Sequence, residues 1–551
     1  MRLPILVVGS VGLLAACSDR ASVYTPGTDA GGQTSIHSGG SGGAAQQSTS
    51  SATAGTSAGF TVTNGGTGDV IGGTNSATGG MATTIGGSGP GAGTSAVGGK
   101  SSSGGSSSTA GQTSTGGTSS TGGSKATGGT PGTGGTSSAG GTTNTAGAAT
   151  GGISAGGVGG TAIACTDQRG SLKPTYPFPQ NYRSSKCIYP KSACSSDARA
   201  VYDQWKRQLV VDAGNYQRVV RPDLEAGLVN STVSEGIGYG MILAVFMDDQ
   251  TLLDNLWQYS QQHLNGNKLM IWLIDSSGNP GNESSGMPAS GSATDADEDM
   301  AWALALAAQK WGTSSTLGSY KTLAVDLIGR IYSCEADTRF DLFNAGDSWG
   351  TTFAWNPSYF APYEYRLFAQ LDTAHADGWK KIIDKGYQAL AASQNATSGL
   401  TPAWTDASGN PAAAWSGGPT NYQYDAARVP FRIGIDYCEY GDTRAAAILQ
   451  KFTNFFSGVG TEKIVDGYEL DGTPKPEHTT PDGVQSALFV GAAGVGAMST
   501  TNSAFVDSVY ARIVTQPDSL MIPVSQYYNL SWKVFTLLMM SGNLFDYTLH
   551  P

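Results

Sequence analysis

Charged residues and histidines are scarce in this chain of 551 residues. Asp, Glu, Lys and Arg make up 13% of the sequence, and only five histidines are present. The histidines are scattered, and no spacing of cysteine and histidine resembles that of a zinc site. We therefore expect neither a catalytic metal nor any other cofactor.

Cysteine is also sparse, with six residues in the whole chain. Cys187 could pair with Cys194, or Cys165 with either of them, and such a bond would tie down the start of a folded domain. Spacing alone does not decide the connectivity, so these pairings remain alternatives.

No apolar run at the N-terminus is long enough to span a membrane as a mature helix. Leu3 to Leu14 is short, and small alanines immediately precede Cys17. This pattern is typical of a bacterial lipoprotein signal peptide over residues 1–17, with Cys17 as the lipid-bearing N-terminus after cleavage. An ordinary secretory signal that happens to end near a cysteine is the alternative. Ser18 after the cysteine favours an exported lipoprotein of the outer membrane or cell surface.

Residues 18–161 lack almost everything that a folded core requires. They are mainly Gly, Ser, Thr and Ala, and their few charges cancel. Such a chain cannot bury enough apolar surface to offset the entropy lost on ordering. We therefore predict a disordered, flexible linker, and its Gly-Gly-Thr and Gly-Gly-Ser recurrences are low complexity rather than a folded repeat.

Residues 162–551 contain nearly all the aromatic residues and the acidic excess of a chain with net charge −11. An acidic domain disfavours nucleic acid as a partner. Strand-like alternation is rare, and apolar residues recur at helical spacing in about a dozen segments. The predicted helices cover 195–209, 236–247, 250–264, 297–311, 315–333, 359–372, 376–393, 424–439, 441–457, 484–496, 503–514 and 526–541. Short loops suggest antiparallel neighbours in a double ring of six and six helices, with a solenoid as the competing arrangement.

Four carboxylates crowd into five positions at the start of an alanine-rich helical segment. They are Asp295, Asp297, Glu298 and Asp299. One interpretation is helix capping, because Asp295 can cap a helix and Glu298 then has the capping-box spacing. The other is that one of these carboxylates, Asp295, faces a catalytic cleft.

Two further acids have sequence surroundings that suit acid–base chemistry. Glu235 lies at the start of an apolar helical segment, where burial would raise its pKa towards that of a useful acid; a simple N-terminal acid is the alternative. Asp425 and Arg428 are three residues apart and can pair on a helix, either at the surface or in a buried site that keeps Asp425 ionised. A protonated acid, an ionised base and room for a water are the arrangement of an inverting glycosidase.

Five segments of the chain together resemble glycoside hydrolase family 8. In the family's order they are Ser234–Met241, Asn265–Trp272, Ala293–Asp299, Asn356–Tyr363 and Tyr424–Arg428. The resemblance covers residues 175–548. It implies an all-α domain, an (α/α)6 barrel over residues 162–551, that hydrolyses a β-linked polysaccharide with inversion at the anomeric carbon.

The resemblance also implies a role for individual residues. Glu235 matches the proton donor, Asp425 the general base, and Asp295 the acid that binds and distorts the sugar at the cleavage site. The residues that match substrate-binding positions are Trp272, Trp349, Tyr359, Tyr424 and Arg428.

Because it has Asp425 at the position of the base, the chain resembles the cellulase and xylanase subgroup of the family more than the chitosanase subgroup. The leading hypothesis is a monomeric endo-β-1,4-glucanase that is attached to the membrane by its N-terminal lipid. The alternatives are a xylanase, licheninase or chitosanase on the same scaffold, or a non-catalytic sugar-binding surface lipoprotein.

The lipid anchor leads to a direct prediction. Cys17→Ser should release the protein from the membrane fraction of the host bacterium, because the residue that would carry the lipid is removed. Cell fractionation and immunoblotting measure this, with Ser18→Ala as a matched control that keeps the cysteine. Unchanged membrane association of Cys17→Ser would contradict the lipid-anchor prediction.

Overall fold

The computed structural model describes residues 165, 172, 175–222, 228–283, 287–348, 353–414, 418–475, 485–516 and 526–550. The predicted signal peptide over 1–17 with Cys17, the predicted linker over 18–161 and Trp349 lie outside the described residues.

The described part of the domain is mainly helical. Its α-helices are α1 (Ser195–Leu209), α2 (Ser234–Phe246), α3 (Gln250–Ser260), α4 (Thr294–Lys310), α5 (Tyr320–Glu335), α6 (Pro362–Leu371), α7 (Ala376–Ser393), α8 (Val429–Tyr440), α9 (Thr443–Val459), α10 (Ala487–Ala497), α11 (Ser503–Thr515) and α12 (Gln526–Ser541). Each predicted helical segment corresponds to one of them.

The predicted bounds agree with the structure for some helices and differ for others. The bounds of α1, α7 and α12 agree with prediction, whereas α4 begins three residues earlier than predicted. The segment predicted over 424–439 is divided into a short 3-10 helix, Tyr424–Arg428, and α8. Pro430 lies in the first turn of α8, where its missing N–H leaves no helical hydrogen bond unmade.

The even-numbered helices form a closed ring. Each packs against the next, from α2 through α4, α6, α8 and α10 to α12, and α12 packs back on α2. Each odd-numbered helix packs outside a member of this ring. The arrangement is consistent with an (α/α)6 barrel and differs from an open solenoid, in which the terminal helices would not meet.

Two ring helices, α2 and α10, are apolar around most of their circumference. Every residue of α2 from Gly236 to Phe246 is buried, as is every residue of α10. This is expected for helices surrounded by other helices on all sides. Small residues permit the close packing, since a Cβ at Gly491 of α10 would lie 2.1 Å from Oγ1 of Thr536 on α12.

Short strands connect the helices and pair in twos. They are β1 (Val210–Ala213), β2 (Tyr216–Val219), β3 (Thr232–Val233), β4 (Leu273–Ile274), β5 (Thr313–Ser314), β6 (Gly318–Ser319), β7 (Ala336–Asp337), β8 (Leu342–Phe343), β9 (Tyr422–Gln423) and β10 (Gly467–Tyr468). The antiparallel pair β3–β4 places the start of α2 beside Trp272, whose carbonyl accepts a hydrogen bond from the Ser234 amide at 2.9 Å. The pair β9–β10 fixes the chain immediately before Tyr424.

Disulfides attach the segment before α1 to the helical domain. Cys165 pairs with Cys194, which was one of the sequence alternatives, and Cys187 pairs with Cys438 of α8. The suggested bond between Cys187 and Cys194 is not formed, because Cys187 lies against α8 with its Cα 5.4 Å from that of Cys438. None of the described helices is both long enough and apolar enough to cross a membrane.

Candidate active site

Arg428 is a buried cation that lies among three carboxyl groups. Its Nη1 donates to Oε2 of Glu235 at 2.7 Å and to Oδ2 of Asp295 at 2.6 Å, and its Nη2 lies 3.5 Å from Oδ1 of Asp425. Its Nε donates to Oγ of Ser358 at 3.1 Å. Three acids that are distant in the sequence therefore meet in one cluster.

The helix starts of the ring bring this cluster together. Glu235 is the second residue of α2, Asp295 is the second residue of α4, and Asp425 precedes α8 in the 3-10 helix. A Cβ at Gly238 would lie 3.0 Å from Cβ of Asp299 on α4, so glycine permits the close approach of α2 and α4. The positive end of a helix dipole favours carboxylates at these starts.

Glu235 is less exposed than Asp425 and more exposed than Asp295. Its side chain is 17% exposed and rests on the buried surface of α2. Burial raises the pKa of Glu235 to about 7, and the positive charge of Arg428 opposes this rise. The hydroxyl of Tyr527 donates to Oε1 of Glu235 and also favours the ionised form. A carboxyl group with such a pKa can hold a proton near neutral pH and release it.

Asp425 has a more open and more polar environment. Its side chain is 31% exposed, and Nδ2 of Asn356 donates to its Oδ2 at 2.8 Å. The other amide atom of Asn356, Oδ1, accepts hydrogen bonds from the amide and hydroxyl of Ser358 and so orients Asn356. Tyr424 immediately before it has φ of +43°, which is uncommon for a residue with a Cβ and is a form of local strain found at functional sites.

The capping interpretation of the acidic cluster is wrong. The N-cap of α4 is Ala293, which has no side-chain cap, and Asp295 lies inside the first turn and points to Arg428. Glu298 does not reach back to the helix start, because its Oε1 accepts a hydrogen bond from the hydroxyl of Tyr365 at 2.7 Å. These carboxylates are buried in the ring rather than exposed at a helix end.

A second buried cation lies one helical turn below the first. Arg432 donates to Oδ2 of Asp299 at 3.1 Å and lies 3.4 Å from Oε1 of Glu364. Elsewhere on α4, burial and the neighbouring Glu335 carboxyl hold the pKa of Asp297 well above its usual range. Paired and protonated acids thus reduce the cost of burying so much charge.

The predicted sugar-contacting aromatics have different environments. Trp272 is half-buried, and its Nε1 donates to Oε1 of Glu283 at 3.2 Å. Tyr359 is half-buried, with its ring centre 5.2 Å from the guanidinium carbon of Arg428. Tyr424 is 38% exposed. Other aromatics near these loops are buried in the core and serve packing; they are Trp355, Trp404 and Tyr422.

Several residues of the cluster were not predicted as site residues. Tyr239 accepts a hydrogen bond from Nη1 of Arg428 at 3.1 Å, and its position four residues after Glu235 on α2 was a usable signal. Asn356 and Ser358 lay in a segment noted only for its resemblance to the family. Tyr527 lies 292 residues from Glu235 in sequence, so no local pattern could have paired them.

The cluster predicts that replacing Arg428 lowers the free energy of unfolding much more than replacing the surface residue Arg444. Arg428→Met should reduce the free energy of unfolding by about 3–5 kcal/mol, because it leaves buried carboxylates without their cation. It should also raise the pKa of Glu235 further, because the Arg428 charge opposes the effect of burial. Urea denaturation measures the first effect and carboxyl NMR titration the second.

Arg444→Met is the matched control. Arg444 pairs with Asp384 and Asp442 at the surface and is 41% exposed, so its loss should cost no more than about 1 kcal/mol. Equal losses of stability in the two variants would contradict the central position that we assign to Arg428.

Comparison with known proteins relates the described domain to one enzyme family. The model of the glycosyl hydrolases family 8 matches residues 182–542. The chain is 35% identical over 405 residues to endoglucanase C of Ruminiclostridium cellulolyticum, which is 71% of this chain and 82% of that protein. It is 36% identical over 359 residues to endoglucanase A of Acetivibrio thermocellus, which is 64% of this chain and 70% of that protein.

A solved structure agrees with these sequence matches. The apo structure of a β-1,3-1,4-glucanase from Paenibacillus sp. X4 superimposes with a TM-score of 0.60 and 29% sequence identity. The superposition covers 68% of this chain and all of that one. The chain therefore belongs to the glycosyl hydrolases of family 8 and is a glycoside hydrolase.

Proposed function

We propose that the protein is an inverting endo-β-1,4-glucanase with an (α/α)6 barrel, in which Glu235 is the general acid and Asp425 the general base. One observation carries this assignment: the two acids share Arg428 but have opposite environments. Glu235 is half-buried, with 17% of its side chain exposed, and has a raised pKa, whereas Asp425 is 31% exposed and held by polar partners. Environments that separate two carboxyl groups in this way assign one as the acid and the other as the base.

The proposed reaction is a single displacement. Glu235 gives its proton to the glycosidic oxygen as the bond to the anomeric carbon breaks. A water molecule attacks that carbon from the opposite face and gives its proton to Asp425. Asp295, which Arg428 orients, would hold the sugar ring at the cleavage site in a distorted conformation. The product at the new reducing end then has the inverted, α configuration.

Cellulose-type β-glucan is the proposed substrate. Relatives named endoglucanase support it, and the half-buried faces of Trp272 and Tyr359 suit the flat apolar faces of sugar rings. The structural relative named β-1,3-1,4-glucanase favours a licheninase as the second candidate. A xylanase or chitosanase is a further alternative. A non-catalytic sugar-binding lipoprotein would not require an acid and a base in such different environments.

The proposal also includes where the enzyme is located and how it is attached to the cell. The pattern before Cys17 supports an exported lipoprotein anchored in the outer membrane or cell surface by one lipid-bearing residue. The composition of residues 18–161 supports a flexible linker that lets a monomeric catalytic domain reach a polymer outside the cell.

A substrate panel tests this function. The purified protein should release reducing ends from carboxymethylcellulose and quickly lower its viscosity, because endo cleavage shortens long chains. Glu235→Gln and Asp425→Asn should each reduce kcat by about 100-fold or more, while Glu462→Gln at an exposed surface position should not. Proton NMR should show the α-anomer first.

Other results would change the assignment. If reducing ends were released from barley β-1,3-1,4-glucan, xylan or chitosan but not from carboxymethylcellulose, the substrate would be that other polysaccharide. More than a tenth of the parent activity in Glu235→Gln would exclude Glu235 as the acid. A first product of β configuration would exclude inversion.

The pKa of Glu235 predicts the alkaline limit of activity. Because the acid must be protonated, kcat/KM should fall as the pH rises through about 7. Tyr527→Phe removes a hydrogen bond that favours the ionised form, so the pKa of Glu235 and the alkaline limb should move to higher pH. Tyr440→Phe, at a tyrosine that bonds Asp546 instead, is the control. A limb that moves to lower pH in Tyr527→Phe would contradict this interpretation.

A further inference from the structure

Asp347 lies outside the cluster around Arg428, yet its carboxylate receives hydrogen bonds from separate segments of the chain. Its Oδ2 accepts from Nδ2 of Asn265 at 2.6 Å and from Nδ2 of Asn267 at 2.9 Å. Its Oδ1 accepts from the backbone amide of Ser292 at 2.9 Å and from the hydroxyl of Ser348 at 3.1 Å. The proposed reaction assigns no role to this carboxylate.

Two of these segments lead directly to residues of the proposed sugar-binding cleft. Asn265 precedes Trp272 by seven residues, and Ser292 precedes Asp295 by three. The amide of Trp272 donates to the carbonyl of Gly291 at 2.9 Å, so the two segments are also joined beside the tryptophan. Asp347 therefore connects the segment that carries Trp272 to the segment that leads into α4.

The turn that contacts Asp347 is itself held by a side chain. Oδ1 of Asn265 accepts from the amides of Asn267 and Leu269 at 2.9 and 3.2 Å. One end of the Asn265 side chain thus shapes the turn, and the other end attaches it to Asp347. Loss of the carboxylate would remove the side-chain hydrogen bonds that hold the turn to Asp347 without unmaking the turn itself.

The opposite side of Asp347 is closely packed. Its amide donates to Oγ of Ser292 at 3.2 Å, and that hydroxyl donates to Oε1 of the buried Glu335 at 2.5 Å. A Cβ at Gly346 would lie 2.1 Å from the carbonyl oxygen of Ser292, so the backbone at Gly346 directly contacts the backbone at Ser292. The carboxylate is consequently fixed relative to the start of α4.

We propose that Asp347 is a positioning residue that fixes Trp272 relative to Asp295 and thereby sets the affinity of the cleft for the sugar chain. The inference rests on the proposed function, since sugar binding by Trp272 is part of it. A carboxylate suits this position because it only accepts hydrogen bonds and can accept on both oxygens. An amide has one accepting oxygen and would present donors to the two asparagines.

The first test replaces the carboxylate in the full chain. Asp347→Asn should raise KM on the polysaccharide that the parent hydrolyses, and Kd for the matching pentasaccharide by calorimetry, about tenfold. The value of kcat should stay within about threefold, because Glu235 and Asp425 keep their contacts. Asp341→Asn makes the same charge change six residues earlier, at a half-exposed position, and should leave both constants unchanged.

The second test exchanges the two groups at the 2.6 Å contact. Asn265→Asp alone places two carboxylates together and should raise KM as Asp347→Asn does. The double variant Asn265→Asp with Asp347→Asn restores a donor and an acceptor across this contact and should recover most of the lost affinity. A general loss of structure would not be reversed by this exchange.

Several results would overturn the inference. KM of Asp347→Asn within twofold of the parent, a double variant no better than the single variants, or a loss in kcat alone would each do so. If Asp347→Asn does not fold, Asn267→Ala is the substitute, because it removes one of the hydrogen bonds that Asp347 accepts. This variant should raise Kd about threefold. An unchanged Kd would overturn the inference. A parent inactive on every polysaccharide would instead overturn the proposed function.

Discussion

The shared guanidinium of Arg428 is the interaction on which the site depends. Three carboxyl groups approach one cation within a helical ring, where unpaired charge is costly. One positive charge cannot balance three negative ones. Burial raises the pKa of Glu235, and a proton on that group lowers the negative charge of the cluster. Balancing buried charge and keeping an acid protonated are therefore one physical requirement.

The same requirement recurs deeper in the ring. Arg432 lies between Asp299 and Glu364, one turn below Arg428, so the inner helices carry a stack of cations and acids along the interior. Such a polar interior is stable only when each group has a partner or a proton. Glycines such as Gly238 and Gly491 let the apolar parts of the helices pack closely around it.

The loops beside the ring extend this rigidity to the proposed cleft. Hydrogen bonds join the turn at Asn265 to Asp347, and Asp347 to Ser292 just before α4. The catalytic carboxylates that we propose thus lie on helix starts, whereas Trp272 lies on a loop tied back to one of those starts. A site held on rigid elements keeps its geometry when a polymer binds.

The helices were predictable from the sequence because periodicity is local. The bounds of α1 and α12 agree with prediction, and the segments around Glu235, Asp295 and Asp425 indicated the family. The start of α4 was harder to predict, because buried partners of the acidic cluster, and not the helix dipole alone, decide where those acids lie.

What the sequence by itself determined was the helical character of the domain and its family, and it singled out Glu235, Asp295 and Asp425 as candidates. Only the tertiary structure decided that Arg428 binds Glu235 and Asp295 together and that Tyr527 donates to Glu235. It also decided that Asp347 joins two loops. These contacts span tens to hundreds of residues, and closure of the helical ring creates them, so no local pattern encodes them.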